Sequence, residues 1–600
     1  MKRLLFGFFC VLFCGAAQSA QIVNVEYIHK LIEQEHGITV PYNTDLHDPT
    51  VAANMKYLLT TIDVANQMLS GESITDYGNS EYATTVATDT VATLEMVRDH
   101  VRNYKFFATT TPDTTSFSFT ISASGVFHID WGDGTRESYR KTNTTATTYS
   151  HEYADAGEYV IKIGGYRTGG NSLSFANNLN LAKIDGSVGA IFSTIKNKNG
   201  SVSNPSFSSL FSGCTNLTGT IPPDLFRGIY GKGFGVSAFA AVFKNCSGLT
   251  GNIPNNLFGD IYGNTAQAIF AETFQNCSGL TGPIPDGLLG RFSGVARQSM
   301  FQRTFSGCSG LTGSIPKKLF GDIYGGAPHV FNSTFVDCKG LTGEIPDGLL
   351  GDFTTVTKST NVTGMFSSTF SGCSGLTGAI PADLFKGYSV GLNLENMFGG
   401  CSGITEIPEN LFAATFAEPV NCKFFRTFKG CSSLKSIPGD LFAGCTGTQS
   451  SQFYETFAGC SEITEVPENL FASIVGEPKA EIFFGTFSNC TNLVKIPSDL
   501  FGGLSGTPAN GMFQQTFKGC ASLESIPEKL FDNILTDTDA GMMFYYTFSG
   551  CSSLSGDSAK IKGKYLYEIW TDTTSFHPFS HMYLGCTGLT DYADIPSNWK

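Results

Sequence analysis

The chain reads as an α/β repeat solenoid preceded by a small β-sandwich and a short helical module. Three features lead there. A segment such as FQRTFSGCSGLTGSIPKKLF, from Phe301, recurs with small edits along the last two thirds of the 600 residues. The hydrophobic period changes twice before these repeats begin. The repeats also decay at both ends, as the capping units of a stacked array do.

Thirteen cysteines keep the frame of the array: Cys214, Cys246, Cys277, Cys308, Cys338, Cys373, Cys401, Cys431, Cys460, Cys490, Cys520, Cys551 and Cys586. Neighbours lie 28 to 35 residues apart, so each unit holds roughly 30 residues and residues 207–600 make about 13 coils. Three positions before each cysteine stands Phe, or Tyr583 in the last unit, and seven before stands Phe, or Leu394 in one. Three after stands Leu or Ile. The Phe-x-x-x-Phe spacing predicts a short helical turn with both rings on one face. The apolar run that ends in Ile-Pro predicts a strand, closed by the proline.

Two forms of the unit follow one another. Those from Cys214 to Cys373 read CxxLTGxIP, and those from Cys401 to Cys520 lack one residue, a change that a bulge at the glycine absorbs. Residues 169–206 are expected to form a linker and a degenerate first coil, with Phe175, Leu181 and Ile184 in frame and Asn178 at the cysteine position. The unit at Cys551 loses its Ile-Pro, which marks the other end.

Ahead of the array, residues 1–19 carry two basic residues, an apolar core from Leu4 to Phe13 and then small residues, which predicts a secretory signal peptide. A lipoprotein cleavage at Cys14 is the weaker alternative, because Phe13 is bulky. Residues 20–105 are expected to be helical: Val25, Ile28, Leu31 and Ile32 share a face, and Met55, Leu58, Leu59 and Ile62 repeat the pattern. Residues 106–168 alternate apolar and polar positions between turn signals, the mark of a β-sandwich. Trp131 is its expected core anchor, with a tight turn at Asp133-Gly134. An alternative gives Asp130 and Asp133 to calcium, although their spacing fits no EF-hand loop.

Four roles compete for the cysteine column. Buried free thiols act as small hydrophobes with a weak donor for backbone carbonyls, and that is the expected role. Disulfides along the column are the alternative in an exported protein, against which stand an odd number and parallel side chains. Zinc needs paired spacings such as CxxC, which the column lacks. A catalytic thiol has no reason to recur in every coil. Outside the column, Cys422 and Cys445 are the candidates for a disulfide.

A net charge of −14 with no basic run excludes a phosphate-neutralising nucleic-acid binder. No HExxH, GxSxG, P-loop or strand-GxGxxG motif occurs, so no enzyme, cofactor or metal site is expected, with HPFSH at His577–His581 the residual chelating candidate. No segment after the signal reaches the roughly 18 apolar residues of a membrane span. Tyr230, Tyr262 and Tyr324, in repeated IYG tips, are the candidate ligand contacts.

Two resemblances sharpen these expectations. WGDGT at Trp131–Thr135 with HEYADAGEYVIKI from His151 resembles a PKD domain, with Glu152 where that family has Thr. The pattern F-x-x-C-x-x-L-x-x-I-P, closest in NVTGMFSSTFSGCSGLTG at Asn361, resembles the BspA-like leucine-rich repeats of bacterial surface proteins. The resemblance implies a leucine-rich-repeat solenoid on an exported protein, at the cell surface or secreted, with the periplasm as an alternative. It also implies adhesion to a protein or glycan of a host or neighbouring cell. The competing expectation is a self-assembling structural component of the cell envelope without a specific ligand.

Overall fold

The computed structural model describes residues 104–196, 201–263, 265–357, 360–388, 391–409, 411–412, 422–535, 540–570 and 578–600. The expected signal peptide and the expected helical module lie outside the described residues, except for Tyr104 and Lys105, which begin the first strand. Two compact units are present. One comprises the described chain up to Leu210 with Ile221–Gly233, the other Phe211–Thr220 with Phe234–Lys600.

In the first unit the period-2 segments become antiparallel strands: β1 (Tyr104–Thr110), β2 (Thr114–Asp130), β3 (Arg136–Lys141), β4 (Thr147–Gly157), β5 (Val160–Ser174) and β6 (Leu181–Gly186). The expected sandwich is hydrogen-bonded as one continuous sheet of order β3-β2-β5-β1-β6, with β4 also on β2. The reason is the 17-residue length of β2. Its first half pairs with β4, from Ser116↔Glu152 to Ile121↔Thr147, and its second half with β3, from Gly125↔Lys141 to Asp130↔Arg136. Gly125 permits the crossing with β5, since a Cβ there would stand 2.1 Å from the Tyr166 carbonyl oxygen. Phe117, Phe119, Ile121, Phe127, Ile129 and Trp131 alternate inward and form the core.

The sheet runs past the expected boundary at 168. Leu181–Gly186 pairs with β1, from Phe106↔Gly186 to Thr110↔Leu181. Asn178 therefore sits at a junction of two patterns. Its amide bonds the Phe175 carbonyl (2.9 Å), as each array cysteine bonds the Phe, or Tyr583, three before it, and three residues later the chain is a sheet strand. A short hairpin, β7 (Ile195–Lys196) and β8 (Val202–Ser203), and the strand β9 (Tyr230–Gly231) complete the unit's strands among the described residues.

Between residues 230 and 406 the chain winds as a β-solenoid of about six turns. Short parallel pairs hold successive turns: β10 (Gly251–Asn252) on β12 (Leu280–Thr281), then β11 (Asp260–Gly263), β13 (Arg291–Val295) and β14 (Asp322–Tyr324) on a second side. The bridges Gly282↔Leu311, Gly313↔Leu341 and Gly343↔Leu376 fall on Leu-Thr-Gly, the first part of the Leu-to-Ile-Pro run expected as a strand. Where the unit shortens, β15 (Thr377–Ala379) meets β16 (Gly403–Glu406) and the pairing slips between Gly378 and Ala379.

Almost no helix is present among the described residues. The single α-helix among the described residues, α1 (Leu566–Ile569), has four residues and lies outside every Phe-x-x-x-Phe segment. The α/β expectation is corrected there: the segment is a run of tight turns. In the coil of Cys338, alternate amides leave the coil, as Phe331 N bonds Met365 O, Ser333 N bonds Ser367 O and Phe335 N bonds Thr369 O (2.8–3.0 Å). The amides between them close local turns, Asn332 N to His329 O and Thr334 N to Phe331 O. His329, Ser333 and Asp337 adopt φ of 57°, 55° and 57°. A left-handed residue every fourth position breaks the i−4 bonding of a helix yet keeps the four-residue period that brings both Phe rings inward. The same bonds recur from Phe424 to Tyr583, whose amide bonds the Trp599 carbonyl (2.8 Å).

Candidate functional site

The inner frame is three sets of stacked side chains. Phenylalanines preceding the cysteines stack coil on coil, Phe305 on Phe335 at 5.6 Å, Phe335 on Phe370 at 5.6 Å and Phe370 on Phe398 at 5.8 Å, with planes within 7°. Buried threonines one residue earlier donate to a carbonyl of the preceding coil, and some also reach one in their own coil; Thr334 Oγ1 donates to Phe301 O (2.9 Å) or Phe331 O (2.8 Å). All 13 array cysteines are buried free thiols. Each from Cys246 to Cys586 donates its Sγ–H to the carbonyl of the Phe in the preceding coil, as Cys277 does to Phe243 (3.0 Å) and Cys373 to Phe335 (2.9 Å).

Burial decides the chemistry of this column. It pushes the thiols of Cys308, Cys401, Cys490 and Cys586 up to about 12, only partly offset by backbone hydrogen bonds. Cys246, Cys277, Cys338, Cys373, Cys431, Cys460, Cys520 and Cys551 move in the same direction for the same reason. A thiol held protonated at neutral pH is neither nucleophile nor metal ligand. Outside the column, Cys422 and Cys445 form a disulfide across 23 residues, Cα to Cα 5.8 Å.

The calcium candidates are engaged otherwise. Asp130 Oδ2 accepts from Arg136 Nε (3.0 Å) and faces Lys162 Nζ (3.8 Å), while Asp133 Oδ2 lies 2.7 Å from His151 Nε2. Burial raises the Asp133 carboxyl, but bonds from His151 and Thr135 outweigh it and leave the group below its usual value. Among the described residues no three His, Cys, Asp or Glu side chains are placed to hold a metal. Of the HPFSH pair, His577 lies outside the described residues; His581 stacks on Tyr546 (4.9 Å). No helix among the described residues is long and apolar enough to cross a membrane.

Tyr230, Tyr262 and Tyr324 are exposed, at 43%, 43% and 41%. The register does not line up Tyr262 and Tyr324 in one row, because the parallel strands are staggered. Tyr262 lies opposite Arg291, which pairs with Asp260 (2.6 Å), and Tyr324 lies opposite Val295.

A different row carries the aromatic surface. The position after the first Phe of each unit points outward and is Ala240, Ala271, Gln302, Asn332, Ser367 and Glu395 in successive early coils. In later coils it becomes Phe425, Tyr454 and Phe484, half-buried rings that stack at 4.7 and 4.3 Å. The coil ladder sets their register, with Arg426 N on Tyr454 O and Glu455 N on Phe484 O. The Arg426 guanidinium spans the rings of Phe425 (4.8 Å) and Tyr454 (5.3 Å). Glu455 accepts from both Arg426 and Lys429 at 2.6 Å. Burial raises the Glu455 carboxyl, but those two donors outweigh it and hold it below its usual value. The result is a rigid aromatic ledge with a pinned cation at its edge. Sequence reasoning missed it; the signal was the change from small or polar to aromatic at one position of the unit.

The chain matches no protein-family model, no curated protein and no solved structure.

Proposed function

We infer that this is an exported binding protein, displayed at a cell surface or secreted, that adheres to a protein or glycan of another cell through its repeat solenoid. In this reading the solenoid is of the BspA-like leucine-rich-repeat type with about 13 coils, and the preceding sheet is a PKD-like module. The observation that carries the reading is the contrast between frame and surface. Cys repeats in all 13 coils and Phe in nearly all, with Thr in nine, while the outward row changes from coil to coil and gathers Phe425, Tyr454, Phe484 and Arg426. Repeat arrays place specificity in such positions, and stacked aromatics with an arginine are the side chains that dominate binding energy at interfaces. The protonated thiols favour a binding role over a catalytic one.

The test is overlay of the full chain on immobilised extracellular-matrix proteins and glycans, beside the triple variant Phe425→Ala, Tyr454→Ala, Phe484→Ala. The expected result is capture by one or more of these and a loss of tenfold or more in the variant, about 1.4 kcal/mol. A chain that captures nothing but polymerises as its concentration rises would replace adhesion with the structural envelope role.

A further inference from the structure

We propose that a cleft in the first unit, beside the start of β2, binds an uncharged sugar residue. The cleft has a volume of 310 Å³, and its polar walls come from Ser118, Thr120, Ser174, Asn177, Asn178 and Asn180. No charged side chain lines it. Thr120 and Ser174 are bonded to Thr148 and Ser209, and the Ser118 hydroxyl and Asn177 amide, which both donate and accept, match the alternating donors and acceptors of a sugar ring. An anionic ligand would meet no cation there.

The walls are fixed before any ligand arrives. Asn178 Nδ2 donates to Ser118 O (2.8 Å), its Oδ1 accepts from the Asn180 amide (2.9 Å), and Asn180 Nδ2 donates to Ser116 O (2.9 Å). These two side chains satisfy the β2 carbonyls that an added peptide strand would need. Strand addition is thereby disfavoured, and a compact ligand is favoured. Asn177 stands at φ 60°, is exposed and lines the cleft. Exposed Leu179 (56%) and Ala176 supply apolar surface at the same wall. This site is independent of the solenoid reading, because it is built wholly from the first unit.

The experiment is saturation-transfer NMR on the full chain with glucose, galactose, mannose and N-acetylglucosamine, each alone, and with glucuronate as the charged comparison. The expected result is binding of at least one neutral sugar over glucuronate. Ala176→Trp, which fills the cleft from an exposed position, abolishes it. Asn177→Gly keeps the left-handed backbone and weakens it about fivefold, the worth of one neutral hydrogen bond. The Phe425, Tyr454, Phe484 triple variant leaves it unchanged. No signal from any neutral sugar, stronger binding of glucuronate, or undiminished binding in Ala176→Trp would overturn the proposal.

Discussion

The Cys308 thiol donates to the Phe274 carbonyl oxygen at 3.0 Å, and the Cys277 amide donates to the same oxygen at 3.0 Å. One carbonyl thus closes the turn of its own coil and receives the next coil. Cys308→Ala removes that second donor and leaves a void in a fully buried row, with an expected loss of about 1–3 kcal/mol. Urea unfolding and hydrogen exchange of amides in the two adjoining coils measure it. Protection unchanged on both sides would show that the thiol only fills space.

The same thiols predict an alkaline limit. Twelve, from Cys246 to Cys586, have folded-state values raised by burial. Their contribution is full below the unfolded value of about 8.5. Above it the unfolded chain loses protons that the folded chain keeps, so stability falls as pH rises toward about 12. Denaturation midpoints should be flat from pH 6 to 8 and drop steeply by pH 10. Native protein at pH 8 should leave all 13 column thiols unlabelled by iodoacetamide, and rapid labelling of several would contradict the burial.

Cys422–Cys445 closes a loop of 23 residues. Chain entropy makes that bond worth about 3 kcal/mol. Peptide mapping of unreduced protein should recover this pair, and Cys445→Ser should lower the urea midpoint by a corresponding amount. Equal midpoints for the variant and the oxidised parent would remove the bond from the stability of these coils.

The left-handed positions form a further test. Ser333 has φ 55°. Ser333→Gly should stabilise or be neutral, whereas Ser333→Val should cost about 1–2 kcal/mol, since a β-branched residue resists positive φ. A stable Val variant would mean the turn relaxes into another conformation.

The periodic frame was legible in the sequence because Phe, Cys and Leu recur at fixed intervals and each is buried. The conformation of the Phe segment was not. Four-residue spacing suits a helix and a stack of turns equally, and the residues at positive φ include Glu272, Arg303 and His329, which carry no turn signal. The extent of the sheet was hidden for a different reason: Leu181 and Ile184 fit the array frame, while three-residue spacing puts them on opposite faces of a regular strand, and it is the register shift opposite Thr109 and Thr110 that lets both be buried. The tyrosine tips were visible, but their stagger depends on pairing that spacing cannot supply. The ledge went unseen because neighbours in space, Phe425 and Tyr454, are separated by a whole coil.

Protease shaving of intact cells that make the protein, with an antibody to the repeat region and an internal protein as control, tests the adhesion reading most directly. The expected result is loss of the repeat signal while the internal control survives. Survival of the repeats until the envelope is broken would contradict it and place the solenoid where no other cell can be met.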